Sequence, residues 1–499
     1  MSTIWLNPIY PSPRQDGGYD VTGYYDVDPR LGSLGDFAEL LDQADELGMR
    51  IILDLVVNHT SDQHPWFQSA LRGPGSPHHD WYVWSREEPA DRWTGGVFPG
   101  VEHETWTFSE QAGLWYRHRF YRFQPDLNTE HPLVRAEIRK IMAFWLRLGV
   151  AGFRIDGAPF LLERRTGNGS GDLYDYQFLC ELRETASWRR ADAVLLAEAN
   201  VADHELLEYF GSTEASRATM VFAFRLNQAV MLALARQDAG PIRDTLIELP
   251  ELPRQAQWAT FLRNHDEVDL GRLTPAEREE VFAAFGPDPD MQIYHRGLRR
   301  RLAPMLGNDR RRLELAYSLL LSLPGTPVLR YGDEIGMGEN LALPERESIR
   351  TPMQWADLPH AGFSTAEHTD LVAPVITGGA HGYATVNVTD ERLDPHSLLT
   401  WFERMLHTRR ECGEIGCGDH TVLDSGNPAV LAHLAAGERG AILFLHNLSP
   451  HPCRVAPAGV PAGERPPLNL AADGDYDKDV DLDSLALNGY GYRWLRLPA

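Results

Sequence analysis

The chain has 499 residues, with 47 Lys plus Arg against 71 Asp plus Glu, for a formal net charge of −24. Apolar residues make up 43% and charged residues 24%, an ordinary globular composition with material for one large core and a second domain. A chain this acidic is repelled by phosphate backbones and anionic lipid, so no nucleic-acid and no membrane partner is expected.

In chain order, residues 2–8 (STIWLNP) read as a strand that ends in a Pro/Gly/Asp loop. Residues 35–47 carry apolar side chains at helical spacing, and residues 50–57 (RIILDLVV) read as a buried strand. An amphipathic helix at 135–148 precedes a strand at 150–155. Further strands follow at 193–197, 220–224, 258–263 and 327–331, most of them separated by helical patterns. Strands alternating with helices imply βαβ units and a parallel sheet. Their number predicts an α/β fold of the (β/α)8 TIM barrel class.

The interval 59–128 breaks this rhythm. It holds six of the 13 tryptophans (Trp66, Trp81, Trp84, Trp93, Trp106, Trp115) and little helical period. So long an insertion after a strand is usually functional. Its rings read either as a small satellite core or as an apolar wall for a flat ligand such as a sugar, and the two are compatible. After about Cys412, strand candidates at 421–423, 429–434, 441–445, 453–455 and 492–497 lie between turn residues, the pattern of a small antiparallel β domain. The expected division is a catalytic barrel of 1–58 and 129–415, an inserted aromatic-rich domain of 59–128 and a C-terminal β-sandwich of 416–499.

No run approaches about 18 apolar residues, so no transmembrane helix is expected. The first residues show no secretory leader. Four cysteines do not make a disulfide framework, and Cys412 and Cys417 have no second pair to complete a zinc site. A soluble, cytoplasmic protein is expected, with an oligomer possible and no organic cofactor.

Barrel chemistry sits at strand C-termini. Asp54 and His59 flank the end of one strand, Arg154 and Asp156 end the next, Glu198 ends another, and Arg263, His265 and Asp266 follow a fourth. A charge after an apolar strand is ordinarily a structural ion pair. Three carboxylates from three strand ends (Asp156, Glu198, Asp266) reverse that balance and mark a functional site. Two carboxyls flanking one bond suit glycoside hydrolysis. Arg154, two residues before Asp156, points to the same face and keeps that carboxylate ionised. The apolar neighbours Leu195, Leu196 and Ala197 are expected to raise Glu198 toward the acid form. Asp266 is then free to stabilise positive charge on the sugar ring. The glycine-rich stretch 167–171 lacks the strand–loop–helix setting of a phosphate site and reads as a loop. His78 and His79 lack spaced partner ligands, and no Gly-x-Ser-x-Gly elbow is present.

Four ordered blocks carry a family resemblance: DLVVNHT from Asp54, GFRIDG from Gly152, LLAEAN from Leu195 and FLRNHDE from Phe261. They resemble the signature blocks of the α-amylase family of glycoside hydrolases (family 13). QPDLN from Gln124 is similar to that family's additional block in its α-glucosidase-like members. HTSDQHPWFQ, GLRRRLAPML, LLSLPGTPVLRYGDEIGMG and IRTPMQW are most similar to the trehalose synthase branch, whose members interconvert maltose and trehalose. The resemblance implies Asp156 as nucleophile, Glu198 as acid/base and Asp266 as transition-state stabiliser. It implies that Arg154, His59 and His265 hold the innermost glucose, that Tyr19 stacks on it, and that Asp20 grips the non-reducing end with Arg350 as partner. It also implies a structural Ca²⁺ held by Asn58, Asp126, Glu163 and the carbonyls of Phe160 and Leu161.

The chain departs from that branch at Val201 and Ala202, in residues 220–230, and at Gly157 and Arg330. Residues 2–8 resemble the family's second barrel strand, so the first strand and helix are expected to be absent. The substrate expected is a small α-glucoside (maltose, trehalose or a malto-oligosaccharide). A plain α-glucosidase or α-amylase-type hydrolase, and an inactive barrel acting as a binding subunit, are the alternatives.

Overall fold

The computed structural model describes the whole chain except residues 91, 94, 165–173, 213, 214, 439, 462–465, 478, 498 and 499. The glycine-rich stretch 167–171 therefore lies outside the described residues. The chain divides into two compact units, one of residues 1–222 and 251–257, the other of residues 223–250 and 258–499.

In the first unit five strands run parallel: Thr3–Leu6, Arg50–Leu55, Gly152–Ile155, Val194–Ala197 and Met220–Phe222, paired in that order. They are short, mostly apolar runs; Arg50–Leu55, Gly152–Ile155 and Val194–Ala197 are largely buried on both faces, while Thr3–Leu6 is half-buried. The helix Leu34–Glu46 starts at a capping box, in which Ser33 Oγ accepts from the Asp36 N–H and the Asp36 carboxylate accepts from the Ser33 N–H. It buries Phe37, Leu41 and Ala44, one face at helical spacing. The helix Pro132–Leu148 has Pro at its first position and stops at Gly149, whose φ of 117° is open to glycine. It buries Val134, Ile138, Ile141, Met142 and Trp145, and the Trp145 indole donates to the Tyr24 carbonyl at 2.8 Å. Gly152 is required by close approach: a Cβ there would lie 2.1 Å from the Val194 carbonyl oxygen of the adjacent strand.

The aromatic-rich insertion contains a helix, Pro65–Ala70, and a three-stranded antiparallel sheet of Trp84–Ser85, Leu114–Arg117 and Trp106–Ser109. The Trp84 indole stacks on Phe67 (centroids 5.8 Å) and on His79 (5.1 Å), and Trp66 meets Trp81 edge-on at 4.9 Å. These rings pack on one another, so the satellite-core reading holds for them.

The second unit carries the parallel pair Gln257–Phe261 and Thr326–Val328, with Ala259 opposite Thr326. Its C-terminal part is an antiparallel sheet in the order Asp419–Leu423, Val430–Gly437, Gly440–Asn447, Tyr492–Leu497, Leu468–Ala472, with Cys453–Val455 and Leu485–Leu487 as a separate ladder. Period-2 alternation sorts the two faces. Val430, Ala432 and Leu434 enter one core with Leu443, Leu445, Leu485 and Leu495. His433 and His446 point the other way, to Ser322 Oγ (3.2 Å) and Ser318 Oγ (3.1 Å) of the helix Arg310–Ser322.

These two histidines set an acid limit on stability. Burial pushes His446 down to about 3 and His433 well below its ordinary value. The folded state binds fewer protons than the unfolded chain, so stability is full above the unfolded value of about 6.5 and falls as pH drops from there toward 3. At pH 5.5 His446 alone should cost about 1.4 kcal/mol. Thermal unfolding between pH 7 and pH 5 should show this slope, and His446→Gln should flatten it.

The cysteines Cys180, Cys412, Cys417 and Cys453 are free thiols. No helix among the described residues is long and apolar enough to cross a membrane.

Candidate active site

The first unit gathers a charged cluster at the C-terminal ends of three neighbouring strands. Register places Asp54 beside Arg154, and Arg154 beside Leu196 just short of Glu198. The Arg154 guanidinium is nearly inaccessible and binds three carboxylates: Asp54 Oδ1 through Nη1 at 3.0 Å, Asp156 Oδ1 through the same nitrogen, and Glu198 Oε2 through Nη2 at 2.8 Å. The Gly157 N–H also donates to Glu198 Oε2, at 2.9 Å. Gly157 has φ +49°, a left-handed geometry that residues with a Cβ rarely adopt. Tyr19 donates its hydroxyl to Asp54 Oδ2 at 2.6 Å, and Tyr10 donates to the Asp54 carbonyl at 2.7 Å. Trp5 and Tyr19 present their rings to the guanidinium, 5.3 and 5.7 Å away.

One cation among three carboxylates fixes the electrostatics. Burial pushes Asp54 up to about 6, against the pull of Arg154 and the Tyr19 hydroxyl. Burial alone would lower Arg154, but Asp54, Glu198, Tyr19 and Asp156 hold it well above its ordinary value. The guanidinium is therefore a permanent charge that holds three carboxylates on its two terminal nitrogens. Among the contacts of Glu198 are that guanidinium and a backbone N–H, and Leu195, Leu196 and Ala197 before it are buried residues of the strand.

His59 is buried and pushed down by desolvation, and its Nε2 donates to the Tyr19 carbonyl at 3.1 Å, which describes a neutral imidazole. Asp20 is wholly buried, accepting from Ser12 Oγ at 2.7 Å and from the Gln15 N–H at 3.0 Å, and burial raises it. It organises the turn that carries Tyr19.

The expected calcium set lies close by in the same unit. Asn58 Nδ2 is 3.4 Å from Asp126 Oδ1, which also accepts from the Arg119 N–H at 3.0 Å. Glu163 pairs with Arg117 at 3.3 Å and with Arg119, and Arg117 Nε reaches Asp126 Oδ2 at 3.8 Å. The Leu161 carbonyl accepts from Thr129 Oγ1 at 3.0 Å, and the Phe160 ring lies under the Arg119 guanidinium at 4.9 Å. The oxygens are of the right type, but two guanidinium groups already balance both carboxylates. A divalent cation there would meet the buried Arg119 and the half-buried Arg117, so the set as arranged does not fit calcium. Among the described residues no group of three or more His, Cys, Asp or Glu is placed to hold a metal ion.

In the second unit the residues after the strand Gln257–Phe261 form a separate cluster. Asp266 Oδ1 accepts from Arg346 Nη1 at 2.8 Å and from Arg350 Nη2 at 2.9 Å, and Asp266 Oδ2 lies 3.1 Å from His265 Nε2. Arg350 also donates to the His265 carbonyl at 2.9 Å and to Glu347 at 3.2 Å. The Asp266 N–H is held by Asn264 Oδ1 at 2.9 Å. Next in sequence, burial pushes Glu267 up to about 7.

Of the residues read from sequence, Tyr19, His59, Arg154, Asp156 and Glu198 come together in the first unit, and His265, Asp266 and Arg350 in the second. The reading missed Arg346 and left Asp54 out of the site. Asp54 had a signal, its place at a strand end directly opposite Arg154. Arg346 lies on a short 3-10 turn, Glu345–Ile349, 80 residues from the carboxylate it binds, and no spacing rule reaches it.

Comparison with known proteins agrees with these blocks. A family model described as alpha amylase, catalytic domain, matches residues 1–282 and 299–416. The chain is 40% identical over 506 residues to a trehalose synthase of Pimelobacter sp. (strain R48), covering 99% of this chain and 88% of that protein. It is 40% identical over 502 residues to a protein of Mycobacterium tuberculosis named trehalose synthase/amylase TreS, covering 99% and 83%. Among solved structures, an α-amylase from H. orenii superposes with a TM-score of 0.77 at 25% identity, covering 99% of this chain and 90% of that one. The fold is of that α/β barrel class.

Proposed function

The chain belongs to the α-amylase family of glycoside hydrolases, and from that footing we propose that it interconverts maltose and trehalose through a glucosyl group carried on Asp156. The observation that carries this reading is the single guanidinium of Arg154 joining Asp54, Asp156 and Glu198. It supports the reading because one cation holds both the carboxylate assigned as nucleophile and the one assigned as proton donor. The names of the 40% identical relatives support the substrate pair.

In the proposed reaction Asp156 attacks the anomeric carbon of maltose while Glu198 protonates the departing glycosidic oxygen. The Asp156–glucosyl ester forms as that carbon–oxygen bond breaks, and glucose is released. The freed glucose turns within the pocket. Its anomeric hydroxyl then attacks the ester as Glu198 takes the proton. Two displacements retain the α configuration and give the α,α-1,1 linkage. Asp266, with His265, Arg346 and Arg350 about it, is assigned to transition-state stabilisation, and Tyr19, Asp20, His59 and Arg350 to holding the glucose.

The division into a barrel of 1–58 and 129–415, an insert of 59–128 and a β-sandwich of 416–499 belongs to the same proposal, as does a cytoplasmic location. Hydrolysis is the same first step with water as the second nucleophile, so the two outcomes differ in how well water is kept from the ester. Incubation with maltose followed by sugar analysis is the test. Trehalose is the expected main product, and glucose without trehalose would overturn the assignment in favour of a hydrolase.

Calcium has no part in the proposed steps. With Glu163 and Asp126 already paired to Arg117 and Arg119, excess EDTA is expected to leave Tm within about 1 °C of the value in calcium. A fall of several degrees on chelation, reversed by calcium, would show that the arginines yield to the ion.

A further inference from the structure

The arginines that hold Asp266 stand on a scaffold of their own, and it is strained at its joint. Two residues after Asp266 begins the strand Val268–Asp269, an edge of a small antiparallel sheet. The hairpin of Gln292–Ile293 and Gly297–Leu298 completes that sheet, with Val268 opposite Leu298 and Ile293 opposite Gly297. Its turn closes through the Arg296 N–H, which donates to the Ile293 carbonyl at 3.3 Å. Both central residues have positive φ, Tyr294 at 53° and His295 at 58°. That hairpin geometry ordinarily takes Asn or Gly, and two ring-bearing residues adopt it only against strain.

A second strained point lies 51 residues further along the chain. Glu345 has φ 39° and opens the short turn Glu345–Ile349 that carries Arg346. The two points meet in one hydrogen bond, in which the hydroxyl of the buried Tyr294 donates to Glu345 Oε2 at 2.8 Å. Arg299, directly after the hairpin, grips the same segment twice more. Its carbonyl accepts from Ser348 Oγ at 3.1 Å, and its Nη2 donates to the Leu343 carbonyl at 2.9 Å. One small sheet therefore fixes both partners, the backbone that follows Asp266 and the turn that presents its arginines. Such a scaffold answers an electrostatic problem. Arg346 Nη1 (2.8 Å) and Arg350 Nη2 (2.9 Å) share a single oxygen, Asp266 Oδ1. Two guanidinium groups that close repel each other, and both are long side chains with much rotamer freedom to lose.

We propose that Tyr294 is a positioning residue for the Asp266 cluster, holding the turn at Glu345 so that Arg346 and Arg350 meet the carboxylate together. The proposal rests on the assignment of Asp266 to transition-state stabilisation. Tyr294 touches no sugar in this reading and acts through Arg346 alone.

The test is a double-mutant cycle in the full chain, read in kcat and KM on maltose. Tyr294→Phe removes one hydroxyl and keeps the ring. It is expected to lower kcat about tenfold, with KM within about twofold and Tm within about 2 °C of the wild type. Arg346→Met is expected to lower kcat at least about 100-fold. Added to Arg346→Met, Tyr294→Phe should change kcat by less than about twofold, because the hydroxyl then has nothing to position. A merely structural role would instead give the same fall in both backgrounds. That result, or a kcat untouched by Tyr294→Phe in the wild type, would overturn the proposal. Should Arg346→Met fail to fold, Arg346→Lys takes its place in the cycle with the same two outcomes. Asp266→Asn separates the proposal from its premise, and is expected to lower kcat at least about 10³-fold. Near-wild-type activity in Asp266→Asn would overturn the stabiliser assignment and the proposal with it. A loss there, with additive effects in the cycle, would overturn the proposal alone.

Discussion

Asp156→Asn is expected to abolish glucosyl transfer, lowering kcat on maltose by about 10⁴–10⁶ while the protein stays folded. The amide keeps the shape of the carboxylate and can still accept from Arg154, but it cannot form the ester. It also removes one negative charge from a cluster in which three carboxylates share one guanidinium, so Tm should hold or rise. Steady-state kinetics with maltose and with an aryl α-glucoside, alongside a melting curve, measure both effects. A loss of less than about tenfold with intact folding would remove Asp156 from the chemistry.

Arg154→Met should damage activity and stability together. Arg154 is 1% exposed, and its removal takes the shared guanidinium away from Asp54, Asp156 and Glu198. Breaking a buried pair in this way is worth about 3–5 kcal/mol, and here three partners lose their cation. The transferred effect on kcat should be at least about 10³, because the nucleophile and the acid/base lose their common anchor. Asp54 sets the sign of the rescue. Burial already pushes it up to about 6, so it is the carboxylate most easily neutralised. Adding Asp54→Asn to Arg154→Met should restore at least about 1 kcal/mol of stability and none of the activity. Denaturant unfolding of the four proteins in this cycle measures the coupling. Strict additivity would mean that Arg154 and Asp54 do not share the interaction the structure shows.

Much of the architecture was legible because the parallel strands are short apolar runs closed by charges. All seven expected strands are present with bounds shifted by a few residues, from Thr3–Leu6 to Thr326–Val328. The candidate carboxylates Asp156, Glu198 and Asp266 stood out for the same reason: a charge directly after a buried strand has few explanations. Two C-terminal strands escaped notice. Leu468–Ala472 is an edge strand of Leu, Asn and Ala with no alternation, and Leu485–Leu487 is three residues long. Arg346 also escaped, because the carboxylate it binds is distant in sequence. The calcium set was legible as residue types alone. Charge balance by Arg117 and Arg119 appears only once the chain is folded.

The central claim is that the glucosyl group is carried on Asp156, and trapping that ester tests it most directly. A fluorinated α-glucosyl fluoride forms the ester quickly and releases it slowly, because fluorine on the ring destabilises the positive charge needed for the second step. After incubation, proteolysis and peptide mass spectrometry, a single glucosyl adduct on Asp156 is the predicted result, absent from Asp156→Asn. An adduct on Glu198 or Asp266, or inactivation without any labelled carboxylate, would contradict the account.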